Sequence, residues 1–355
     1  MKSFPITAKN LKRLTAAVFC LVLALAALLI ASWFYPFDFN RSDDAETMTT
    51  YAMGSIVQQT VYGSQAEAAE SAASSAVTAL ENRISWRVED SEISKLNQAA
   101  GKTDVTLSKE TANLLELLMD VAKQSGGAFD PTIAPLSLLW NFDTDPSLPS
   151  DEDIRYFKQF VGYENLILDS ATRKAHLSDA KNALDLGAAG KGAACDTVCQ
   201  TYQEYNVQAG IVAVGGSVGL YGQKPDGSLW NIAVRDPAND GTLGTLSLEK
   251  GFISTSGSYE KYFEENGTLY HHLLDPKTGY PADNGLVSVT VVSSSGALSD
   301  ALSTACFVLG YENSLSLLEH YDAEAVFIDT NNQIYVTDGL KDAFSLTSSA
   351  YTIVS

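Results

Sequence analysis

A chain of 355 residues exceeds one typical domain, and its 45% apolar composition predicts a well-filled core, in one large unit or two closely joined ones. The formal net charge of -20 argues against nucleic acid and anionic lipid headgroups as partners, except locally, because both would be repelled. Four cysteines without CxxC or zinc-ligand spacing argue against a disulfide framework or a zinc site, and favour buried thiols.

The N-terminal part carries a long apolar run. Residues 14–34 contain no charge, follow several basic residues and precede acidic ones. Such a length spans a bilayer, and the basic flank predicts an N-terminus inside and an extracytoplasmic remainder. A cleaved signal peptide is the alternative, but the run ends in Trp33, Phe34 and Tyr35, which is typical of an interfacial anchor. We therefore expect an uncleaved transmembrane helix within residues 1–35 and a polar tether over 36–50.

Strand and helix patterns follow the tether. Residues 51–62 predict one strand, and apolar residues at three- and four-residue steps over 66–84 predict an amphipathic helix. A second helix is predicted over 111–123. The next segment, GGAFDPTIAPLSLLWNF at 126–142, predicts a rigid loop that holds Ala128, Phe129 and Asp130. A proline-braced loop of the core explains this segment equally well.

A turn rich in glycine and alanine lies at residues 183–198, ALDLGAAGKGAACDTV. It places Asp185 before a helix start, where exposed backbone amides and Lys191 would attract a phosphate. The turn matches neither GxGxxG nor the Walker A motif, so close packing of small residues is an equally good interpretation. Strands joined by a KPDG turn are predicted over 210–222 and 230–237.

The densest polar chemistry lies in residues 251–310. Asp300 and Thr304 stand four apart on a predicted helix, so a carboxylate and a hydroxyl would face the same point. Such oxygen donors suit Mg²⁺ or Ca²⁺ better than zinc, although Ser299 or Asp300 could merely cap the helix. His272, with His271 before it, ends a strand at a DPKTGYP turn, where a histidine can act as acid or base; ordinary surface histidines are the alternative.

Short strands alternate with amphipathic helices along the chain, and several hairpins are expected. This pattern predicts an α+β fold, with antiparallel or mixed sheets flanked by helices, rather than a regular parallel βαβ wind. A helix over 313–321, a hairpin and a short strand complete the predicted C-terminal part.

Taken together, the motifs resemble those of the FAD:protein FMN transferase family, the ApbE-type flavin transferases, over residues 51–355. In chain order they are AMGS, DSEISKLN, GGAFDPTIAPL, DLGAAGKG, GGS with KPDG, STSGSYE, HHLLDPKTGYP and DALSTA. The resemblance implies one extracytoplasmic catalytic domain over 51–355. It also implies binding of FAD and Mg²⁺, transfer of the FMN half to a Thr or Ser of an acceptor protein, and release of AMP.

The resemblance also assigns site residues by position. It implies FAD contacts by Met53, Ala128, Phe129, Asp130, Asp185, Lys191 and the backbone at Leu274. It implies Mg²⁺ ligation by Ala188 through its carbonyl, Asp300 and Thr304, with His272 as general base.

Three places depart from the family pattern. Ser55 stands where Thr is common, Ser217 where Asn is usual, and Trp86 with Arg87 near an expected aromatic. Two other functions stay open: an FAD pyrophosphatase, in which water replaces the protein hydroxyl, and a non-enzymatic flavin-binding protein anchored in the membrane.

Overall fold

The computed structural model describes residues 45–239 and 241–354. The predicted anchor and most of the predicted tether lie outside these ranges. Within them, no helix has both the length and the apolar composition needed to cross a bilayer.

The described residues form seventeen strands and eight α-helices. In chain order the strands are β1 (Ala45–Ala52), β2 (Ser55–Tyr62), β3 (Val105–Thr106), β4 (Leu166–Asp169), β5 (Lys174–Leu177), β6 (Ala209–Val214), β7 (Ser217–Tyr221), β8 (Trp230–Arg235), β9 (Thr242–Leu248), β10 (Gly251–Gly257), β11 (Tyr262–Glu265), β12 (Thr268–His271), β13 (Leu286–Ser293), β14 (Glu324–Asp329), β15 (Gln333–Val336), β16 (Phe344–Leu346) and β17 (Thr352–Ile353). The helices are α1 (Ala66–Ile84), α2 (Glu92–Gln98), α3 (Lys109–Gln124), α4 (Ala134–Trp140), α5 (Asp151–Lys158), α6 (Gly190–Glu204), α7 (Gly296–Leu309) and α8 (Tyr311–His320).

A nine-stranded sheet organises the fold, with strand order β1-β2-β6-β7-β10-β13-β14-β15-β17. Its neighbours pair antiparallel except β15 and β17, which run parallel. Smaller sheets of order β16-β9-β8 and β3-β5-β4 and the hairpin β11-β12 complete the strands. The predicted α+β class, a mixed sheet flanked by helices, is confirmed.

Both faces of the large sheet are covered, because its side chains alternate between two cores. In β14, Ala325 and Phe327 join the core that includes α1, α6 and α7. Val326 and Ile328, between them, join the core that includes β8 and β9 on the other face.

Helices α6 and α7 approach closely enough for their backbones to touch. A Cβ atom added to Gly192 would lie 1.9 Å from the carbonyl oxygen of Gly296. The Asp196 carboxylate of α6 also accepts hydrogen bonds from the backbone N–H groups of Gly296 and Ala297, at 2.7 and 2.8 Å. Helix α6 therefore caps the start of α7 and holds the first turns of both helices together.

Several predicted boundaries are wrong. Residues 51–62 form two strands rather than one, because Met53 and Gly54 have φ angles of 56° and 65° and make a two-residue hairpin turn. Strand β1 therefore takes up residues 45–50 of the predicted tether. Residues 210–222 likewise divide into β6 and β7 at a glycine pair.

The helix predictions need smaller corrections. Helix α3 begins at Lys109, where the Ser108 side chain caps it, two residues before the predicted start. The predicted loop at 126–142 contains the short helix α4, which accommodates Pro135 in its first turn. Ser295 caps α7, so the interpretation of Ser299 or Asp300 as a cap is wrong. The helix predicted over 66–84 is confirmed.

Candidate active site

One end of the large sheet brings together segments that are far apart in the sequence. The tip of the β1-β2 hairpin contacts the start of α6, since a Cβ atom at Gly190 would lie 3.0 Å from Met53 Cε. The turn between β6 and β7 joins them, because a Cβ atom at Gly215 would lie 2.7 Å from Ser55 Oγ and 3.3 Å from Lys191 Cδ. Two of the predicted site residues, Met53 and Lys191, therefore lie at one place.

Asp300 lies in the second turn of α7 and faces this place. Its side chain is buried, and Oδ2 accepts a hydrogen bond of 3.0 Å from the backbone N–H of Gly192. Its other oxygen, Oδ1, is 3.7 Å from Lys191 Nζ. The same ammonium donates a hydrogen bond of 3.2 Å to the carbonyl oxygen of Gly187, next to Ala188. A positive group thus lies between a buried carboxylate and a backbone carbonyl.

Thr304 lies one turn further along α7 and belongs to a hydroxyl network. Its Oγ1 is 3.2 Å from Ser256 Oγ, which is 2.8 Å from Ser303 Oγ. A second set links Ser254 to Ser217 and Ser299, at 2.9 and 3.0 Å. These contacts hold α7 on β10, join β10 to β7, and orient the Thr304 hydroxyl. The sequence analysis named Ser299 and Thr304 on the helix, but nothing in the sequence paired them with Ser254 and Ser256 of β10.

The residue types predicted as metal ligands suit a hard cation by their chemistry. Within residues 45–239 and 241–354, no group of three or more His, Cys, Asp and Glu side chains could hold a metal ion. The candidate set is of a different kind: one carboxylate, one hydroxyl and backbone carbonyls, with an ammonium between the carboxylate and a carbonyl. Such a set leaves coordination positions for the oxygens of a ligand, as Mg²⁺ sites commonly do.

His272 directly follows β12 and presents an unpaired nitrogen. Its backbone N–H donates a hydrogen bond of 3.0 Å to the Lys261 carbonyl. Its Nδ1 atom is buried and has no hydrogen-bond partner among the described residues. Burial, together with the positive charges of Lys261 and Lys191, lowers the pKa of His272 to about 4. The imidazole is therefore neutral near pH 7 and can accept a proton.

His271 differs in that both ring nitrogens lie within hydrogen-bond distance of the backbone. Nε2 lies 3.1 Å from the Ala282 carbonyl oxygen, and Nδ1 accepts a hydrogen bond of 3.3 Å from Leu273 N–H. The ring also packs edge-on against Phe307. These contacts give His271 a structural role.

The loop carrying Ala128, Phe129 and Asp130 is braced from within. Asp130 Oδ1 accepts hydrogen bonds from Thr132 N–H and Oγ1, at 2.8 and 2.6 Å, and Oδ2 accepts one of 2.8 Å from Tyr163 N–H. Burial raises the pKa of Asp130, and these bonds offset part of that effect. The Asp130 carboxylate therefore stabilises its own loop, and Ala128 and Phe129 are buried beside it.

Asp185 connects this loop to the turn before α6. Its backbone N–H donates a hydrogen bond of 2.9 Å to the Pro131 carbonyl, and its Oδ1 accepts one of 2.8 Å from Gly187 N–H. Leu274 lies in an isolated bridge with Pro281 and packs with Trp140. The FAD contacts assigned to these residues stay predictions.

Known proteins resemble this chain in sequence over most of its length. The ApbE family model matches residues 53–327. This chain belongs to the ApbE family. It is 31% identical over 306 residues to the FAD:protein FMN transferase of Klebsiella pneumoniae (strain 342), covering 85% of this chain and 95% of the relative. It is 34% identical over 277 residues to that of Treponema pallidum (strain Nichols), covering 73% and 76%.

Solved structures of ApbE proteins share the fold. The ApbE protein of Thermotoga maritima superposes with a TM-score of 0.80 at 29% identity, covering 84% of this chain and 99% of that one. The apo form of the flavinyl transferase ApbE of Pseudomonas stutzeri gives 0.76 at 29% identity, covering 88% and 99%. The predicted family is confirmed.

In this ApbE family member, three charged side chains form a cluster that the sequence did not predict. Asp143, after α4, pairs with Arg87 and accepts a hydrogen bond of 2.6 Å from Lys261 Nζ. Burial alone would raise the pKa of Asp143, but the two cations hold it below its ordinary range. Arg87 also lies over the Trp86 ring, 4.1 Å from its centroid. The departure at 86–87 was visible in the sequence, whereas nothing there linked it to Asp143.

Proposed function

We propose that this chain is an FAD:protein FMN transferase that transfers FMN from FAD to a Thr or Ser hydroxyl of an acceptor protein and releases AMP. The observation that carries the proposal is the pairing of the buried Asp300 carboxylate with the Lys191 ammonium, whose charge also acts on the neutral His272. The names of the relatives support the same reaction.

Each group has a task in such a reaction. Attack on a pyrophosphate phosphorus needs neutralised oxygens, a positioned hydroxyl and a base. Asp300, Thr304 and the Ala188 carbonyl would hold Mg²⁺, which when bound supplies positive charge to the pyrophosphate oxygens. Lys191 and the backbone amides at the start of α6 add positive potential on the same side.

His272 takes the proton at Nε2, because Nδ1 is buried away from an incoming hydroxyl. The acceptor oxygen forms a bond to the FMN phosphorus while the bond from that phosphorus to the bridging oxygen breaks, and AMP carries that oxygen away. A pKa of about 4 makes His272 a weak base in the free protein. An anionic pyrophosphate near Lys191 and Lys261 would offset both cations and raise the proton affinity of His272, so substrate binding strengthens the base.

The reaction can be tested directly. The full chain is incubated with FAD, Mg²⁺ and an acceptor protein, and the acceptor is analysed by mass spectrometry. A flavin-bearing acceptor together with AMP supports the transferase. Free FMN with AMP and no modified acceptor would indicate the pyrophosphatase instead, and intact FAD would indicate a flavin-binding protein without activity.

We also propose that residues 1–35 stay attached and hold the catalytic domain outside the cytoplasm. The support is the length and charge asymmetry of the apolar run. Membrane fractionation tests the anchor: a soluble mature protein beginning after residue 30 would contradict it.

A further inference from the structure

The ion pair between Lys191 and Asp300 has an unusual geometry. The Asp300 side chain is 5% exposed, and a carboxylate so deeply buried needs a positive partner. Lys191 Nζ lies 3.7 Å from Oδ1, which is too long for a good charged hydrogen bond. Lys191 Nζ instead donates a hydrogen bond of 3.2 Å to the Gly187 carbonyl oxygen. The ammonium therefore neutralises Asp300 without binding it tightly.

The Lys191 ammonium lies beside Asp300, where the proposed set of metal ligands would hold its cation. Asp300 is the only carboxylate of that set, and the Gly187 carbonyl immediately precedes the Ala188 carbonyl. The Lys191 side chain is 29% exposed, so its end has access to solvent. Its Cδ atom lies close to Gly215, at the turn between β6 and β7. The ammonium can therefore leave Asp300 while the stem of the side chain stays beside the site.

An ammonium and a divalent cation repel each other at such short range in a partly buried site. Both can stay in this small site only when another anion compensates the added charge. A diphosphate brings that anion, and it gives the displaced ammonium a new partner.

We propose that Lys191 occupies the cation position beside Asp300 in the metal-free protein, and that a divalent metal and the diphosphate of FAD bind as a coupled pair that moves Lys191 from Asp300 to the phosphate. The identity of the diphosphate as FAD rests on the proposed function. By linkage, FAD tightens metal binding by the same factor as the metal tightens FAD binding.

The test measures binding and needs no acceptor protein. Free Mn²⁺ is monitored by electron paramagnetic resonance with the full chain, with and without FAD, against protein-free FAD as reference. We expect FAD to tighten Mn²⁺ binding at least about ten-fold, and Mn²⁺ to tighten FAD binding equally. Lys191→Gln should bind Mn²⁺ about ten-fold more tightly than the wild type without FAD, with reduced coupling. Asp300→Asn should abolish the site.

Lys261→Gln is the matched control, because this second cation near His272 pairs with Asp143 rather than Asp300. It should leave Mn²⁺ affinity without FAD unchanged. If Lys191→Gln does not fold, the reciprocal coupling in the wild type decides. Equal Mn²⁺ affinity with and without FAD, or unchanged metal affinity in folded Lys191→Gln, would overturn the inference. Strong coupling without any flavin transfer would instead overturn the proposed function and leave this inference standing.

Discussion

At the scale of single residues, the adjacent His271 and His272 differ in their hydrogen bonds. His272→Ala should bind FAD almost normally but transfer FMN about 10²- to 10⁴-fold more slowly, because the proton acceptor is lost. His271→Ala should instead lower the free energy of unfolding by about 1–3 kcal/mol, because buried backbone groups at Ala282 and Leu273 lose their partner. FAD titration, single-turnover transfer and urea unfolding separate the two effects. Full-rate transfer by His272→Ala would rule out the general base.

Asp300 and Thr304 should respond unequally to truncation. Asp300→Ala removes the only carboxylate of the proposed metal set, so turnover should fall below detection. Thr304→Ala removes one neutral ligand and should be milder. Turnover is measured over a range of Mg²⁺ concentrations, with circular dichroism as the control for folding. A residual activity of Asp300→Ala with the Mg²⁺ dependence of the wild type would place the metal elsewhere.

The contact between α6 and α7 sets the geometry of the site at the element scale. Gly192→Ala puts a methyl group 1.9 Å from the Gly296 carbonyl, so the helices must separate. We expect a loss of about 1–3 kcal/mol or more in the free energy of unfolding. Gly190→Ala, two residues earlier, meets the flexible end of Met53 at 3.0 Å and Ile84 Cδ1 at an ordinary 3.9 Å, so it should cost less. Urea unfolding compares the two variants; equal stability losses would show that the helix contact adapts.

At the scale of the whole molecule, which is strongly acidic, stability depends on pH. Glu70 is 2% exposed and its Oε1 has no partner among the described residues. Burial, followed by repulsion from Glu46 and Glu67, raises the pKa of Glu70 from 4.5 to about 7. The folded state thus keeps a proton that the unfolded state releases near pH 4.5. Stability from this group is full below that pH, falls as the pH rises to about 7, and is constant above.

Glu70→Gln keeps the shape of the side chain and removes its ionisation. It should therefore stabilise the protein at pH 8, by on the order of 2 kcal/mol, and have little effect at pH 4.5. Urea unfolding at both pH values measures this. Glu67→Gln, at an exposed position of the same helix, removes only one of the charges that raise the pKa of Glu70, so it should show a smaller difference between the two pH values. A parallel pH profile for Glu70→Gln and the wild type would contradict the assignment.

Local patterns in the sequence predicted much of this molecule. The apolar steps over 66–84 predicted α1, the motif order identified the family, and the four-residue spacing placed Asp300 and Thr304 on one helix. These predictions succeed because helix periodicity and short motifs depend on neighbouring residues. The α+β class followed from the same kind of signal.

Contacts between distant residues were decided only by the tertiary structure. Asp196 caps a helix that begins 100 residues later, and Asp143 joins Arg87 to Lys261 across segments with no common motif. The hairpin turn at Met53 depends on positive φ angles, which a single Gly54 in the sequence did not reveal. Such contacts arise when sheet and helices pack, so the sequence supplies the chemical groups and the packing of the core determines which of them meet.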